Sequence, residues 1–214
     1  MPSECGPRCN PSPWVSTVWS LRRRGLWSRK PPIPPGPIAS PPVAIYALGE
    51  VKPKIDPTAY VHPDAVVIGN VTLGPDTTVW PSAVLRGDYG AIVVGARTSI
   101  QDGTVIHAGP GFPTTVGSGC VVGHLVHLEG CTLEDECLVG SGAVVLHHAR
   151  IGSGAAVGAG AVVPGRMQVP PGALALGVPA VVKPGAARLD AITIAAAEYI
   201  KNGRRYRADL RRLD

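Results

Sequence analysis

The sequence predicts an all-β fold, a parallel β-helix of six-residue repeats closed by a C-terminal α-helix. Three observations carry that expectation. The first is an aliphatic residue at every sixth position from Val61 to Val169. The series runs Val61, Val67, Leu73, Val79, Leu85, then Val94, Ile100, Ile106, then Val116, Val122, Leu128. After one shortened step it continues Leu133, Val139, Val145, Ile151, Val157, Val163, Val169. Helices repeat about every 3.6 residues and strands every 2, so this period belongs to neither alone. It suits a coil in which each hexad gives one strand and one turn and three hexads close a triangle. The second is glycine directly after many of these positions, as in Leu73-Gly74, Val122-Gly123 and Val157-Gly158. A helix does not tolerate that density of glycine and β-branched residues, whereas corners are eased by it. The third is a core poor in aromatics, with Phe112 the single phenylalanine, which fits a narrow stacked interior.

The 214 residues divide by composition. Residues 1–42 are rich in proline, arginine and tryptophan, with six basic residues against one acid, Glu4. That excess equals the whole chain's +5, so the remainder, with 14 bases and 14 acids, is formally neutral. A global nucleic-acid surface is therefore excluded. The stretch from Trp14 to Trp27 is compatible with an organelle transit peptide, but the segment has no buriable pattern and reads first as a disordered extension. The chain is accordingly expected to be cytoplasmic, or mitochondrial or otherwise organellar if residues 1–42 address it. No apolar run approaches the roughly 20 residues that span a bilayer, so no membrane partner is expected. Five cysteines make no disulfide framework here, and Cys120, Cys131 and Cys137 read as small core or corner residues.

In order along the chain, residues 43–186 form the β-helix domain. Arg86 to Ile92 and Ala108 to Thr115 interrupt the hexads, and Gly109 to Pro113 is expected to project as a loop. A loop leaving a strict repeat is a candidate site, because breaking the stack costs packing. Residues 187–214 form a helix with Leu189, Ile192, Ala196 and Tyr199 at helical spacing, covering an exposed edge of the coil, and Gly203 marks a break.

Outward groups on the coil carry the candidate chemistry. His107 follows inward Ile106 and points outward, and His124 sits at the corner after Val122-Gly123. His127 and Glu129 alternate with inward Val126 and Leu128, so both face outward on one strand. Three histidines and a carboxylate on neighbouring coils suit zinc, which wants three nitrogen or oxygen ligands and one open position. His62, His147 and His148 read instead as solvent-facing or corner residues.

The segments Trp80 to Asp88 (WPSAVLRGD), Thr98 to His107 (TSIQDGTVIH), Val122 to His124, Gly130-Cys131 and Leu176 to Ala180 (LGVPA) resemble the γ-class carbonic anhydrase family of hexapeptide-repeat proteins. The resemblance covers roughly residues 43–207. It implies a left-handed β-helix and a homotrimer with metal sites between subunits. It also implies Zn2+ as cofactor, with Fe2+ or Co2+ as alternatives, and carbon dioxide and bicarbonate as substrates. By position it makes His107 and His124 two zinc ligands and Gln101 a partner of the metal-bound water. Arg86 and Asp88 become a charged pair that bridges adjacent subunits. The third ligand departs from the pattern, because Glu129 stands where the family has histidine. Either Glu129 ligates directly, or His127 supplies the third nitrogen with Glu129 fixing its ring, or the metal is lost. Tyr89 and the Gly109–Pro113 loop also lack acids found in some members. Two further functions stay open. A hexapeptide acyltransferase using acyl-coenzyme A is suggested by the Leu176–Ala180 segment, and a non-catalytic trimeric scaffold by Glu129.

Overall fold

The computed structural model describes residues 43–214. Cys5, Cys9 and the extension of residues 1–42 lie outside the described residues. The rest is a parallel β-helix of the left-handed class with one helix at its C-terminal end, in agreement with the fold expected from the hexads. Three faces run along it. One face stacks the start of strand Val84–Val94 under Val105–His107, His127–Glu129, Val144–Val145 and Val162–Val163. A second stacks the end of Val84–Val94 under Thr114–Val116, Thr132–Leu133, Arg150–Ile151 and Gln168–Val169. The third carries seven parallel strands, from Tyr60–Val61 up to Leu174–Leu176, and is finished by antiparallel Val181–Lys183.

The six-residue column is the core. Every member from Val67 to Val169 is buried, none more than 2 % exposed, and only Val61 at the open end is half-buried. A second inward column stands two residues earlier in each hexad: Ala83, Thr104, Cys120, Val126, Cys131, Cys137, Ala143. Where it holds threonine, the hydroxyl donates to a carbonyl of the next coil, as Thr104 does to Gly123 O at 2.7 Å and Thr98 to Gly117 O at 2.7 Å. The polar atom is thus satisfied without water, as burial requires. The three cysteines are free and buried, as their place in the repeat implies.

The glycines after the aliphatic column do not supply the left-handed turn conformation. That falls two residues later, and at one corner it is borne by Leu125 (φ 57°) rather than glycine. Gly123 is required for a different reason: a Cβ there would stand 2.8 Å from Ser141 N of the next coil. The two interruptions of the hexads take different forms. Arg86 to Ile92 lies within the eleven-residue strand Val84–Val94, which turns from one face to the next and pairs with Val66–Leu73 on either side of a bulge, Gly69 opposite Gly87 and Val71 opposite Ile92. Gly109 to Phe112 is a tight antiparallel bridge.

Helix α1, Leu189–Asp209, lies on the third face rather than over an edge, burying Ile192, Ala196 and Gly203. Tyr199 and Tyr206 stand at 5.7 and 5.0 Å from the ring of Trp80, whose indole N–H donates to Ser99 and Thr78. Gly203 does not break the helix. It is the contact point, where a Cβ would meet Thr78 Cγ2 at 2.6 Å. In an exposed helix, Gly→Ala gains about 1 kcal/mol. Here overpacking against a stiff β-branched side chain wins, and Gly203→Ala is expected to destabilise by about 1–3 kcal/mol in chemical denaturation. A gain in stability would mean that α1 is not seated on Thr78.

Candidate metal centre

The coil's register assembles one cluster at the edge where the first face turns into the second. Arg86 pairs with His107, and His107 with Glu129, on successive strands of the ladder. The three outward side chains therefore stack about 4.8 Å apart. Asp88 completes the group from the same long strand. His107 lies between two carboxylates: its Nε2 is 2.9 Å from Asp88 Oδ1 and its Nδ1 is 3.0 Å from Glu129 Oε1. Asp88 in turn accepts from the Arg86 guanidinium. The other oxygen of Glu129 meets His127 Nε2 at 3.3 Å. Burial pushes the Asp88 carboxyl up, but the hydrogen bonds from His107 and Arg86 outweigh it and hold Asp88 below its usual range. Glu129 is also held low, chiefly by the hydrogen bond from His107 and less by His127 and the nearby His147.

The remaining expected residues stand at the opposite edge of that face. His124 is half-exposed, with Nδ1 2.9 Å from Asp102 Oδ2. Gln101, 4 % exposed, precedes Asp102 one coil below. A single chain therefore gathers Arg86, Asp88, His107, His127 and Glu129, and keeps Gln101 and His124 apart from them. Arg86 and Asp88 form an ion pair within the chain. His62 is buried rather than solvent-facing, its Nδ1 accepting from Asp64 N at 3.1 Å, and desolvation lowers its pKa.

One contact was not legible from the motif. His147 Nε2 comes to 3.6 Å from Glu129 Oε1, and its ring lies against Phe112 at 5.7 Å. The signal was its place 18 residues after Glu129, one residue beyond the 17-residue coil that pairs Leu128 with Val145. Among the described residues no three histidine, cysteine or acidic side chains already surround a point where an ion would sit. By chemistry the set still fits zinc, since it offers imidazole nitrogen, carboxylate oxygen and an acceptor, Asp88, behind a ligating ring.

This coil of hexads, with imidazoles and carboxylates at a broken edge, defines a class of β-helix protein. The comparisons place the chain within it. Residues 130–165 match the model described as bacterial transferase hexapeptide (six repeats). A hexapeptide transferase family protein from Anaplasma phagocytophilum superposes with a TM-score of 0.73 at 32% identity, over 76% of this chain and 98% of that one. The chain belongs to the hexapeptide transferase family. Among curated relatives, gamma carbonic anhydrase 2, mitochondrial, of Arabidopsis thaliana is 39% identical over 134 residues, 60% of this chain and 48% of that protein. Carnitine operon protein CaiE of Escherichia coli K12 is 40% identical over 117 residues, 55% of this chain and 60% of that protein. The match thus spans about half to three-fifths of these curated relatives' length.

The cluster has a pH consequence. Glu129's folded pKa is depressed, so its contribution is present above the ordinary carboxylate pKa and lost as pH falls through the lower folded value. In metal-free protein, the melting-temperature advantage of wild type over Glu129→Gln should hold at pH 7 and shrink steadily below about pH 4.5. An advantage that grew on acidification would contradict the hydrogen bond from His107.

Proposed function

We propose that the chain is a γ-class carbonic anhydrase-like metalloprotein that hydrates carbon dioxide reversibly to bicarbonate, working as a homotrimer. One observation carries the reading: His107 and Glu129 are held in register at 3.0 Å with Asp88 behind the ring. The similarity to the plant protein named a gamma carbonic anhydrase supports it. His107 and Glu129 would hold zinc, with iron or cobalt as alternative occupants. Bound zinc supplies Lewis acidity that brings water's pKa near 7. Arg86 anchors Asp88, and Asp88 orients His107. Water adds to the carbon of carbon dioxide, and the proton released must leave the edge. His127, with its side chain 37% exposed and Glu129 in hydrogen-bond reach, is placed to pass it to solvent. Gln101 and His124 reach such a site only from another copy, which supports assembly of the chain into a ring in which one edge meets the neighbour's opposite edge. Leu125 beside His124, 71% exposed on a rigid corner, offers the apolar contact such an interface needs.

Stopped-flow hydration by zinc-loaded protein tests the activity. Wild type should exceed background, and His107→Ala should lower kcat/KM by about 100-fold or more, as loss of a transition-state interaction does. Background rates in both zinc- and iron-loaded wild type would remove the reading. Leu125→Asp should convert the assembled species to monomer in multi-angle light scattering. A wild type that is itself monomeric at micromolar concentration would sink the trimer.

A second reading, acyl transfer from coenzyme A, is favoured by the family description. A thermal shift with acetyl-coenzyme A would support it, and none at millimolar cofactor would end it.

A further inference from the structure

Away from the metal centre, we infer that the open end of the coil binds a medium-chain carboxylate, its hydrocarbon chain against the last inward side chains and its carboxylate between Tyr60 and His62. Among the described residues no coil lies beneath the first. Ile55 and Val61 hold inward positions there and are only partly buried against the core. With Val43 and Ile45 they line a cavity of about 360 Å3. Helix α1 ends beside it, where Arg207 donates to the carbonyls of Pro57, Thr58 and Ala59. From Leu210 the chain leaves the helix in an extended conformation. It roofs a second cavity of about 360 Å3, lined by His62, Asp64, Arg211, Arg212 and Asp214. Pro63 and Leu210 line both cavities, so an apolar and a polar compartment adjoin.

Two donors without acceptors belong to these compartments. Tyr60, which lines the apolar one, is 7% exposed, yet its hydroxyl has no partner among the described residues. A buried hydroxyl left unpaired is costly, so an acceptor arriving with a ligand is favoured. Burial, with Tyr206 adding to it, pushes the phenol up to about 12, and it keeps its proton to donate. His62, which lines the polar compartment, accepts from Asp64 N through Nδ1 at 3.1 Å. The ring proton therefore sits on Nε2, and no described residue accepts it. Tyr60 and His62 flank inward Val61, so both leave the coil on one side, with ring centres 6.4 Å apart. A carboxylate offers one oxygen to each donor. Arg212 is tied to Asp214, which leaves Arg211 as the cation for the ligand's charge. Asp64 lines the same compartment, but its side chain is 62% exposed and water screens it. A short anion would leave the apolar compartment unfilled, and a neutral chain would leave Arg211 unmatched. The cavity volume lies at the small end for ligand pockets, which sets the chain at medium length.

The test is isothermal titration calorimetry of the full chain with sodium octanoate. Acetate serves as the head without the chain, and octan-1-ol as the chain without the charge. Octanoate is expected to bind saturably, one per chain, and each control to bind at least about 10-fold more weakly. Tyr60→Phe removes the hydroxyl and keeps the ring. It is expected to weaken octanoate by about 10-fold or more, as loss of a hydrogen bond to a charged group does. The ligand-free variant should melt at the same temperature as wild type or higher, because an unpaired buried donor goes with the hydroxyl. A lower melting temperature would mean that the phenol is already paired within the chain, and would overturn the inference. Unchanged octanoate affinity in Tyr60→Phe would do the same, as would octan-1-ol or acetate binding as tightly as octanoate. Wild type that gives no saturable heat with millimolar octanoate would end it outright.

Discussion

Cross-coil register is the constraint on which the rest of this molecule depends. Ile106 sits over Leu85 and under Leu128, and Val145 and Val163 continue the stack. Slipping one coil by a single residue would turn its aliphatic side chain to water and bring a polar one into the core. Burial at roughly 25 cal/mol per Å2 makes that slip costly in every coil. The residues one step beyond the column inherit the same register at no further cost. Arg86, His107 and Glu129 are neighbours because Leu85, Ile106 and Leu128 are.

Regular packing alone would leave that outward column a passive wall. What distinguishes it is that three successive coils break the six-residue step at the same edge. The steps Leu85 to Val94 and Ile106 to Val116 are lengthened, and Leu128 to Leu133 is shortened. The first insertion carries Asp88 to the ring of His107. The second places Phe112 over His147 and His148, at 5.7 and 4.7 Å. The shortened step puts Gly130 where a side chain would crowd the His147 ring and Phe112 Cβ. The opposite edge, with Asp102 and His124, keeps the hexad period. A solenoid surrenders stacking where its repeat changes length, and here the surrender is concentrated beside the titratable cluster.

The sequence made the inward column legible almost completely, because burial imposes one residue class at one spacing. It also showed His107, His127 and Glu129 as outward, since alternation follows from the same column. Three features were hidden for physical reasons. Glycines after the aliphatic residues suggested turn conformations, but their role is close approach between coils, which needs the neighbouring backbone to be known. Gly203 looked like a helix stop because propensity says so, and tertiary contact with Thr78 overrides propensity. His147 looked like a solvated corner residue, since nothing local shows that a side chain 18 residues earlier lies within reach. Contacts between coils become visible only when the repeat is wound.

The division of polar groups between two edges of one face sets what assembly can contribute. His107, Glu129 and His147 share one edge. Gln101 and His124 share the other, and Gln101 is almost fully buried while its neighbour Asp102 is half-exposed. A second copy laid edge to edge would bring an amide and an imidazole over the first copy's cluster and exclude water from it. Electrostatic and hydrogen-bonding terms strengthen in such a dry seam. Under the proposed function, His107 and Glu129 would hold the metal on one stack and the contact between stacks would supply its dry surroundings.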